Sequence, residues 1–423
     1  MRVLFLTPYL PGPPNFGGQR RIHGLMSQLG RHHELSVVAL VDAHVDHTAG
    51  IEDTQTYCRH VVTVPARLHR VGGRAKRILQ LGSLLTPNSW EHAQYRRAAF
   101  QRALDRHLSR NEYDVIACEF SFMASYRFAL RGARGRGARR PKLVVDEHNI
   151  EYDILKRTAD ASGLARKVFH AVNWRKLERE ERRVWQSFDG CTLTSERDAR
   201  IVRGEVPALP TAVIPNGVDV ELFRPREESQ VVPKTLLFFG AINYYPNTDG
   251  ALFFVREVFP TLRAQYPDVR LRIVGHMPPS LVPELARDGV DVVGFVDDVL
   301  AEIARAAIIV VPLRIGGGTR LKIVEAMSMA KPIVSTRLGA EGIEVEHDRE
   351  LLLGDTPAEL CRQIGRVLDD PIFGKRLGQA ARRTAEEKYS WERAAKNLAG
   401  FYEELLGARE PSRAASRTGS ATA

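Results

Sequence analysis

Residues 307–336, AIIVVPLRIGGGTRLKIVEAMSMAKPIVST, constrain the fold more than any other stretch of this chain. The run from Ile308 to Val311, with Leu313, is continuously apolar, too short to span a bilayer and suited to a strand buried on both faces. Gly316, Gly317 and Gly318 follow at once; they allow positive backbone angles and lead into a helix that Thr319 is placed to cap. A second strand is expected at 332–335. Strand, glycine turn, helix and strand in that order make a crossover unit. Its loop lies at the carboxyl edge of a parallel sheet, where the N–H groups at a helix start favour an anion.

Two cations sharpen this expectation, because Arg320 and Lys322 fall in the first helical turn, against the helix dipole, and call for something negative nearby. Glu325 lies between Leu321 and Met329 on a mostly apolar helix, so its carboxylate is expected to be partly buried and to need donors such as ligand hydroxyls. The plainer alternative is a tight turn with an incidental Lys322–Glu325 pair at helical spacing. No Gly-Lys-Ser/Thr follows the glycines, and Leu321 stands where a dinucleotide fingerprint needs its third glycine, so neither of those phosphate loops is present.

At 423 residues the chain is long for one core, and two domains are expected. The net charge of +10 points to an acidic or phosphorylated partner, but it is spread along the chain and no motif supports nucleic acid. Cys58, Cys118, Cys191 and Cys361 show no metal-ligand spacing, and Cys118 and Cys191 lie in apolar, strand-like surroundings. Reduced thiols and a cytoplasmic setting are expected. The apolar start MRVLFLTPYLPGPP is broken by Pro8 and Pro11 before it reaches signal length, and no stretch is long enough for a membrane span.

In chain order, a strand at 3–7 precedes a loop in which Gly17 and Gly18 sit just before a helix at 19–29, and a strand at 35–41 completes the unit. Residues 66–110 mix arginines with leucines. They read equally as peripheral helices on the anionic inner face of a membrane and as solvated helix faces. Strands follow at 113–118 and 143–146, separated by a basic loop at 131–142. The second of these delivers EHNIEY, which places His148 and Asn149 at a ligand-binding strand edge. A long charged helix covers 165–188, and a strand at 191–194 leads to a helix capped by Ser195. After VIPNGVD the pattern restarts at Thr235 with LLFFGAINYYPN, and further strands are expected at 270–275 and 290–295. The chain is thus expected to form two doubly wound α/β domains across a cleft, 1–219 and 220–390, followed by an amphipathic helix at 391–407 and a disordered tail at 408–423. Asn216, Gly240, Asn243, Phe295 and Val296 join Asn149 as candidate cleft residues.

Taken in order, the Gly17-Gly18 loop, the His148 edge, IPNGVD, LRIVG, GFVDD and GGGTRLKIVEAM resemble the retaining nucleotide-sugar glycosyltransferases of family 4, which have the GT-B fold of two facing Rossmann-like domains. The resemblance covers nearly everything before the tail. It implies that the second domain binds a nucleoside-diphosphate sugar, that Glu325 holds the ribose as the second glutamate of an E-x7-E motif, and that His148 meets the donor sugar. It also implies that Gly17 and Gly18 face the diphosphate and acceptor, and that the last helix packs back on the first domain. Two departures stand out. The first glutamate of the motif is Gly317, as in a variant branch carrying GGGTR, and the basic pair expected in GAINYYPN is missing. Gly316, Gly317, Gly318, Thr319, Arg320 and Lys322 are then the candidate diphosphate contacts.

No Asp-x-Asp occurs, so metal-bound diphosphate is not indicated and no metal or cofactor is expected. The leading expectation is a metal-independent transferase acting from a nucleotide sugar on a lipid-linked or cell-envelope glycan. A nucleotide-sugar epimerase of the same fold and a non-catalytic two-domain binding protein are the alternatives. His148→Ala is expected on this sequence evidence to spare folding.

Overall fold

The computed structural model describes residues 1–66, 80, 82–128, 140–160, 164–316 and 319–407. The basic loop at 131–142 and the tail at 408–423 therefore fall largely or wholly outside the described residues, as does part of the arginine-rich segment. Within them, the apolar runs become two parallel sheets. The first contains β1 (Arg2–Thr7), β2 (Glu34–Asp42), β3 (His60–Ala66), β4 (Val115–Glu119), β5 (Lys142–Glu147), β6 (Gly190–Leu193) and β7 (Thr211–Val213), in the order β3-β2-β1-β4-β5-β6-β7. The second contains β8 (Thr235–Phe239), β9 (Arg270–Val274), β10 (Val290–Gly294), β11 (Ile308–Val311), β12 (Ile333–Ser335) and β13 (Leu352–Leu353), in the order β10-β9-β8-β11-β12-β13. β1 and β4 are neighbours inside the first sheet, and β8 and β11 are neighbours inside the second. β4 and β11 are buried along their whole length, β8 likewise, and β1 in all but its first residue, as parallel sheets covered by helices on both faces require.

Each sheet reverses its winding once, between β1 and β4 in the first domain and between β8 and β11 in the second. Loops leaving the carboxyl ends of strands at such a reversal splay apart and leave a crevice. The β1 loop leads to the glycines at 17 and 18, β4 ends at Glu119, β8 ends beside Gly240, and β11 runs toward Gly316. All four carry residues considered below.

The chain crosses between domains twice, and the crossings are bonded to each other. The Val218 N–H donates to the Tyr389 carbonyl at 2.7 Å, and the Trp391 N–H donates to the Val218 carbonyl at 3.3 Å. Beyond the second crossing, the helix Trp391–Gly407 lies against the helix Gly17–Leu29. Ala394, Leu398, Phe401, Tyr402 and Leu405 share a core with Phe5, Ile22, Leu25 and Met26. Glycines permit this close approach: a Cβ on Gly24 would lie 2.3 Å from the Trp391 ring, and one on Gly190 would lie 2.7 Å from Leu405.

Several local expectations need correction. The first helix begins at Gly17 rather than after Gly18, so both glycines belong to its first turn. β3 was not anticipated; most of its residues are only half-buried, which blurs the pattern of a strand at the sheet edge. Thr319 does not cap the helix Leu321–Ser328. Arg320 occupies the cap position, where its side chain does not cap the helix, and the Thr319 hydroxyl is spent on the Thr194 carbonyl instead. Ser195 does cap its helix, accepting from the Asp198 N–H.

Overpacking a filled interface costs about 1–3 kcal/mol. Gly24→Val should therefore lower stability by that amount in urea melts, and pairing it with Trp391→Leu should recover part of the loss.

Candidate active site

Arg21 sits on the apolar stripe of the first helix, one and two turns before Leu25 and Leu29, and is 1% exposed. Its Nε and Nη2 each donate to Asp146 at 2.8 Å, and its Nη1 donates to the Ile214 carbonyl at 2.8 Å and to Asn216 at 3.1 Å. Planar bidentate pairing of this kind holds a buried carboxylate ionised. Burial works against the Asp146 charge, but Arg21 and then His148 overcome it and hold its pKa well below the usual carboxylate range.

His148 is buried at the carboxyl end of β5. Its Nε2 lies 2.7 Å from Glu119 and 3.4 Å from Asp146. Burial alone would lower the imidazole pKa; hydrogen bonds and charges from Asp146 and Glu119 outweigh it and raise it. Burial and the neighbouring Asp146 push Glu119 upward. Phe120, held at φ 68°, turns the chain out of β4 and lays its ring 3.9 Å from the imidazole centroid. A phenylalanine at positive φ is strained, and this one shields one side of the imidazole. Glu119, Asp146 and His148 bring their ligand atoms within 4.8 Å of one another and are the described group with metal-ligand geometry. The Arg21 guanidinium already supplies the cation at Asp146, so the chemistry of this donor set fits a proton held between carboxylates better than a metal ion.

Across the cleft, Glu325 is 4% exposed, and its carboxylate accepts from Arg20 Nη1 on the first helix. The alternative of a Lys322–Glu325 pair is thus corrected: the donor to Glu325 lies 305 residues away in sequence, on the other domain. Lys322 instead donates to Asn247 Oδ1 at 2.8 Å and stands 4.6 Å over the Phe238 ring. Burial, then repulsion from Arg320, pulls its ammonium down to about 7 against the attraction of Glu325. Burial likewise lowers Arg320, opposed by Tyr244, Glu341 and Asp198.

The remaining candidates divide by position. Asn216 bridges the domains, accepting from Arg21 and donating to the Thr319 carbonyl at 3.3 Å. Gly17 opposes Leu321 across the cleft, and Gly18 packs on the Tyr9 hydroxyl. Gly240, at φ 134°, lies under Lys322: an added Cβ would be 3.0 Å from its Nζ. Gly316, at φ 129°, faces the Arg320 guanidinium, and its carbonyl accepts from Arg157 at 3.4 Å. Gly317 and Gly318 lie outside the described residues. Asn149 is half-buried, with its Nδ2 3.5 Å from Glu151. Asn243 is exposed, and its N–H donates to the His276 carbonyl at 2.9 Å. Phe295 is exposed and stacks on His276 with centroids 4.3 Å apart, while Val296 packs partly into the second core.

Sequence reading missed Arg20, Arg21, Glu119, Asp146 and Glu151. Arg21 had a usable signal, a cation on an apolar helical stripe. Glu151 stands next to the EHN edge; burial, with Glu91 adding repulsion, raises its carboxyl to about 7 despite the bond from Asn149.

Comparison with known proteins bears on this arrangement. The profile of Glycosyltransferase Family 4 matches residues 17–222, and that of Glycosyl transferases group 1 matches residues 233–370. The chain belongs to the family-4-type glycosyltransferases of the GT-B fold. It is 33% identical over 206 residues to the MMP alpha-(1->4)-mannosyltransferase of Mycolicibacterium hassiacum, covering 46% of this chain and 48% of that protein. It is 31% identical over 242 residues to the D-inositol 3-phosphate glycosyltransferase of Streptomyces bingchenggensis, covering 50% and 52%. The chain thus spans about half the length of these curated relatives. Among solved structures, sucrose-phosphate synthase from Thermosynechococcus elongatus superposes with a TM-score of 0.71 at 18% identity, covering 96% of this chain and 99% of that one. Anabaena HepE in complex with UDP-glucose gives 0.64 at 16%, covering 96% and 100%. These two likenesses carry the GT-B fold.

The buried position of His148 changes what its removal should do. Because its folded pKa is raised, its stabilisation is fully present below the unfolded value of about 6.5 and is lost as pH rises through the folded value. His148→Gln should therefore destabilise the protein, by about 3–5 kcal/mol on the acid side, where a buried charge partner is removed. The gap to wild type should narrow in urea melts taken at progressively higher pH. A gap independent of pH would show that the imidazole carries no charge there.

Proposed function

We propose that the protein is a retaining, metal-independent glycosyltransferase that moves a sugar from a nucleoside-diphosphate sugar to a lipid-linked or cell-envelope glycan. The observation that carries this reading is the helix Leu321–Ser328. It begins at the carboxyl edge of the second sheet's winding reversal, with Arg320 and Lys322 at its start and the buried Glu325 one turn further on. A nucleoside diphosphate has matching chemistry: ribose hydroxyls for a carboxylate, and a diphosphate for two cations at a helix start. Glu325 can serve the ribose while paired to Arg20, because an ionised carboxylate has about four acceptor sites. The relatives named as mannosyl- and inositol-phosphate glycosyltransferases support sugar transfer, and the HepE complex with UDP-glucose supports this class of donor.

In this reading the diphosphate charge that develops on bond breaking is met by Arg320, Lys322 and backbone donors, which replace the basic pair missing from GAINYYPN. His148 has Nε2 committed to Glu119, so Nδ1 is the ring nitrogen left for the sugar. The leaving phosphate takes the acceptor proton on the same face, which accounts for retention. A thermal-shift screen with nucleotide sugars, followed by transfer assays with the one that binds, tests the assignment. A tightly bound donor raises the melting temperature by mass action, and failure of every nucleotide sugar would reject the reading.

Two outcomes are specific to the residues. Glu325→Ala should weaken nucleoside diphosphate binding about tenfold to a hundredfold, the size of a hydrogen bond to a charged group of roughly 1.5–3 kcal/mol. Lys322 should couple binding to protons. Its folded pKa of about 7 is far below the unfolded value of roughly 10.4, so between those values the empty site has lost a proton that the diphosphate would restore. Binding should take up protons in that window and weaken as pH rises through it. Calorimetry in buffers of different ionisation enthalpy measures this, and Lys322→Met should abolish it.

A further inference from the structure

The helix Glu151–Asp160, which follows His148 in the chain, starts without a cap of its own. The N–H groups of Asp153 and Ile154 donate to the Ile150 carbonyl at 3.1 and 3.2 Å, which puts Ile150 at the cap position, where an apolar side chain accepts nothing. A remote carboxyl group takes over. Glu181, on the long helix Leu164–Ser187, accepts from the Glu151 N–H at 3.1 Å and from the Tyr152 N–H at 3.2 Å, one to each oxygen. The Ser121 hydroxyl adds a third donor at 3.3 Å. A bound anion is held at a helix start in the same way, and here the acceptor belongs to the chain itself.

One turn further along the same face of the long helix, Trp185 Nε1 donates to Glu147 at 2.9 Å, and the Ser121 N–H donates to the other oxygen of Glu147 at 3.3 Å. Glu181 and Trp185 thus grip the chain on both sides of His148, Asn149 and Ile150. The arrangement works against folding. Glu147 and Glu181 are fully buried, and among the described residues no arginine or lysine pairs with either of them or with Glu151. Burial, opposed by the Trp185 bond and reinforced by Glu151, pushes Glu147 up to about 8; burial, then Glu147 and Glu151, push Glu181 up as well. Apolar residues of similar volume commonly stabilise such a position, so stability alone does not account for the cluster.

We infer that Glu181 and Trp185 are positioning residues for transfer, holding the His148 turn from behind so that the imidazole keeps its place beside Glu119 and Asp146. The effect on transfer rests on the role proposed above for His148. The two-point grip itself stands on the hydrogen bonds alone. The adjacent Glu180 offers a control, because it makes the same kind of bond to a different loop: it accepts from the Ser89 N–H at 3.2 Å and from the Ser89 hydroxyl, ahead of the helix Trp90–Tyr95.

The first test needs no substitution. Amides in the first turn of a helix have no intrahelical acceptor, so hydrogen exchange read residue by residue on the full chain should show Glu151 and Tyr152 slowed like Ile154. Exchange of both at the rate of an unstructured amide would overturn the grip. The second test follows His148 by NMR of the protein with histidines carbon-13-labelled at Cε1, its signal identified by loss in His148→Gln. Glu181→Gln keeps the volume but turns one accepting oxygen into an NH2 group that faces a donor. The His148 pKa, raised in the wild type by Asp146 and Glu119, should fall toward the ordinary value of about 6.5 as those contacts lengthen, and should stay raised in Glu180→Gln. Trp185→Phe keeps a ring and removes the donor to Glu147; it should move the same signal, and it decides the matter if Glu181→Gln does not fold. Turnover of UDP-glucose and GDP-mannose, read as nucleoside diphosphate released, should drop in kcat about tenfold or more in Glu181→Gln, with KM held within about twofold. Equal melting losses in the Glu180 and Glu181 variants, with kcat and the His148 titration unchanged, would make Glu181 purely structural and overturn the inference. Should the wild type turn over neither sugar, the transferase reading fails for those donors, while exchange and titration still decide the grip.

Discussion

The buried pair of Arg21 and Asp146 is the interaction on which the site depends. A guanidinium and a carboxylate taken from water carry a large desolvation cost, offset only when geometry is good and the remaining donors are satisfied. Here both conditions hold, since Arg21 spends its other donors on Ile214 and Asn216. One side chain thereby ties the first helix to the end of β5 and to the segment that crosses between domains. The consequences run outward in two directions. An ionised Asp146 helps keep the His148 imidazole charged beside Glu119. Asn216, fixed by Arg21, reaches the Thr319 carbonyl just before the helix Leu321–Ser328.

The two domains meet through polar contacts around this centre. Arg20 pairs with Glu325, Arg197 with Glu341 at 3.3 Å, and the Thr319 hydroxyl with the Thr194 carbonyl at 3.0 Å. Side chains that pair across a cleft can exchange partners with water or a ligand at little net cost, which a dry apolar seam would not permit. The crossing segments at Val218 and Trp391 supply the covalent and hydrogen-bonded pivot. Charge at the cleft is unequal: buried carboxylates gather beside His148, and buried cations gather at the start of the helix Leu321–Ser328. A diphosphate on the second side would relieve the repulsion between Arg320 and Lys322 that the empty site carries.

Much of the architecture was legible because its signals are local. Buried parallel strands read as continuous apolar runs, glycine turns punctuate them, and the helices that follow have their own periodicity. Thus β1, β2, β4, β5, β8, β9 and β11 could be placed from pattern alone, while β3, half-buried at an edge, could not. Ser195 could be read as a cap because capping needs only a hydroxyl and a helix start. Thr319 looked equivalent and was not, because its hydroxyl is claimed by a carbonyl of the other domain.

The sequence by itself determined that two doubly wound domains form, that glycine loops stand at their carboxyl edges, and that Glu325 and Lys322 sit on a helix beginning at one of them. Only the tertiary structure decided which charges meet. Partners such as Arg20 and Glu325, or Arg21 and Asp146, are separated by 305 and 125 residues and obey no period. Their pairing follows from where two sheets place their loops. Periodicity records what one element buries against its neighbours, but electrostatic partnership depends on distance through space.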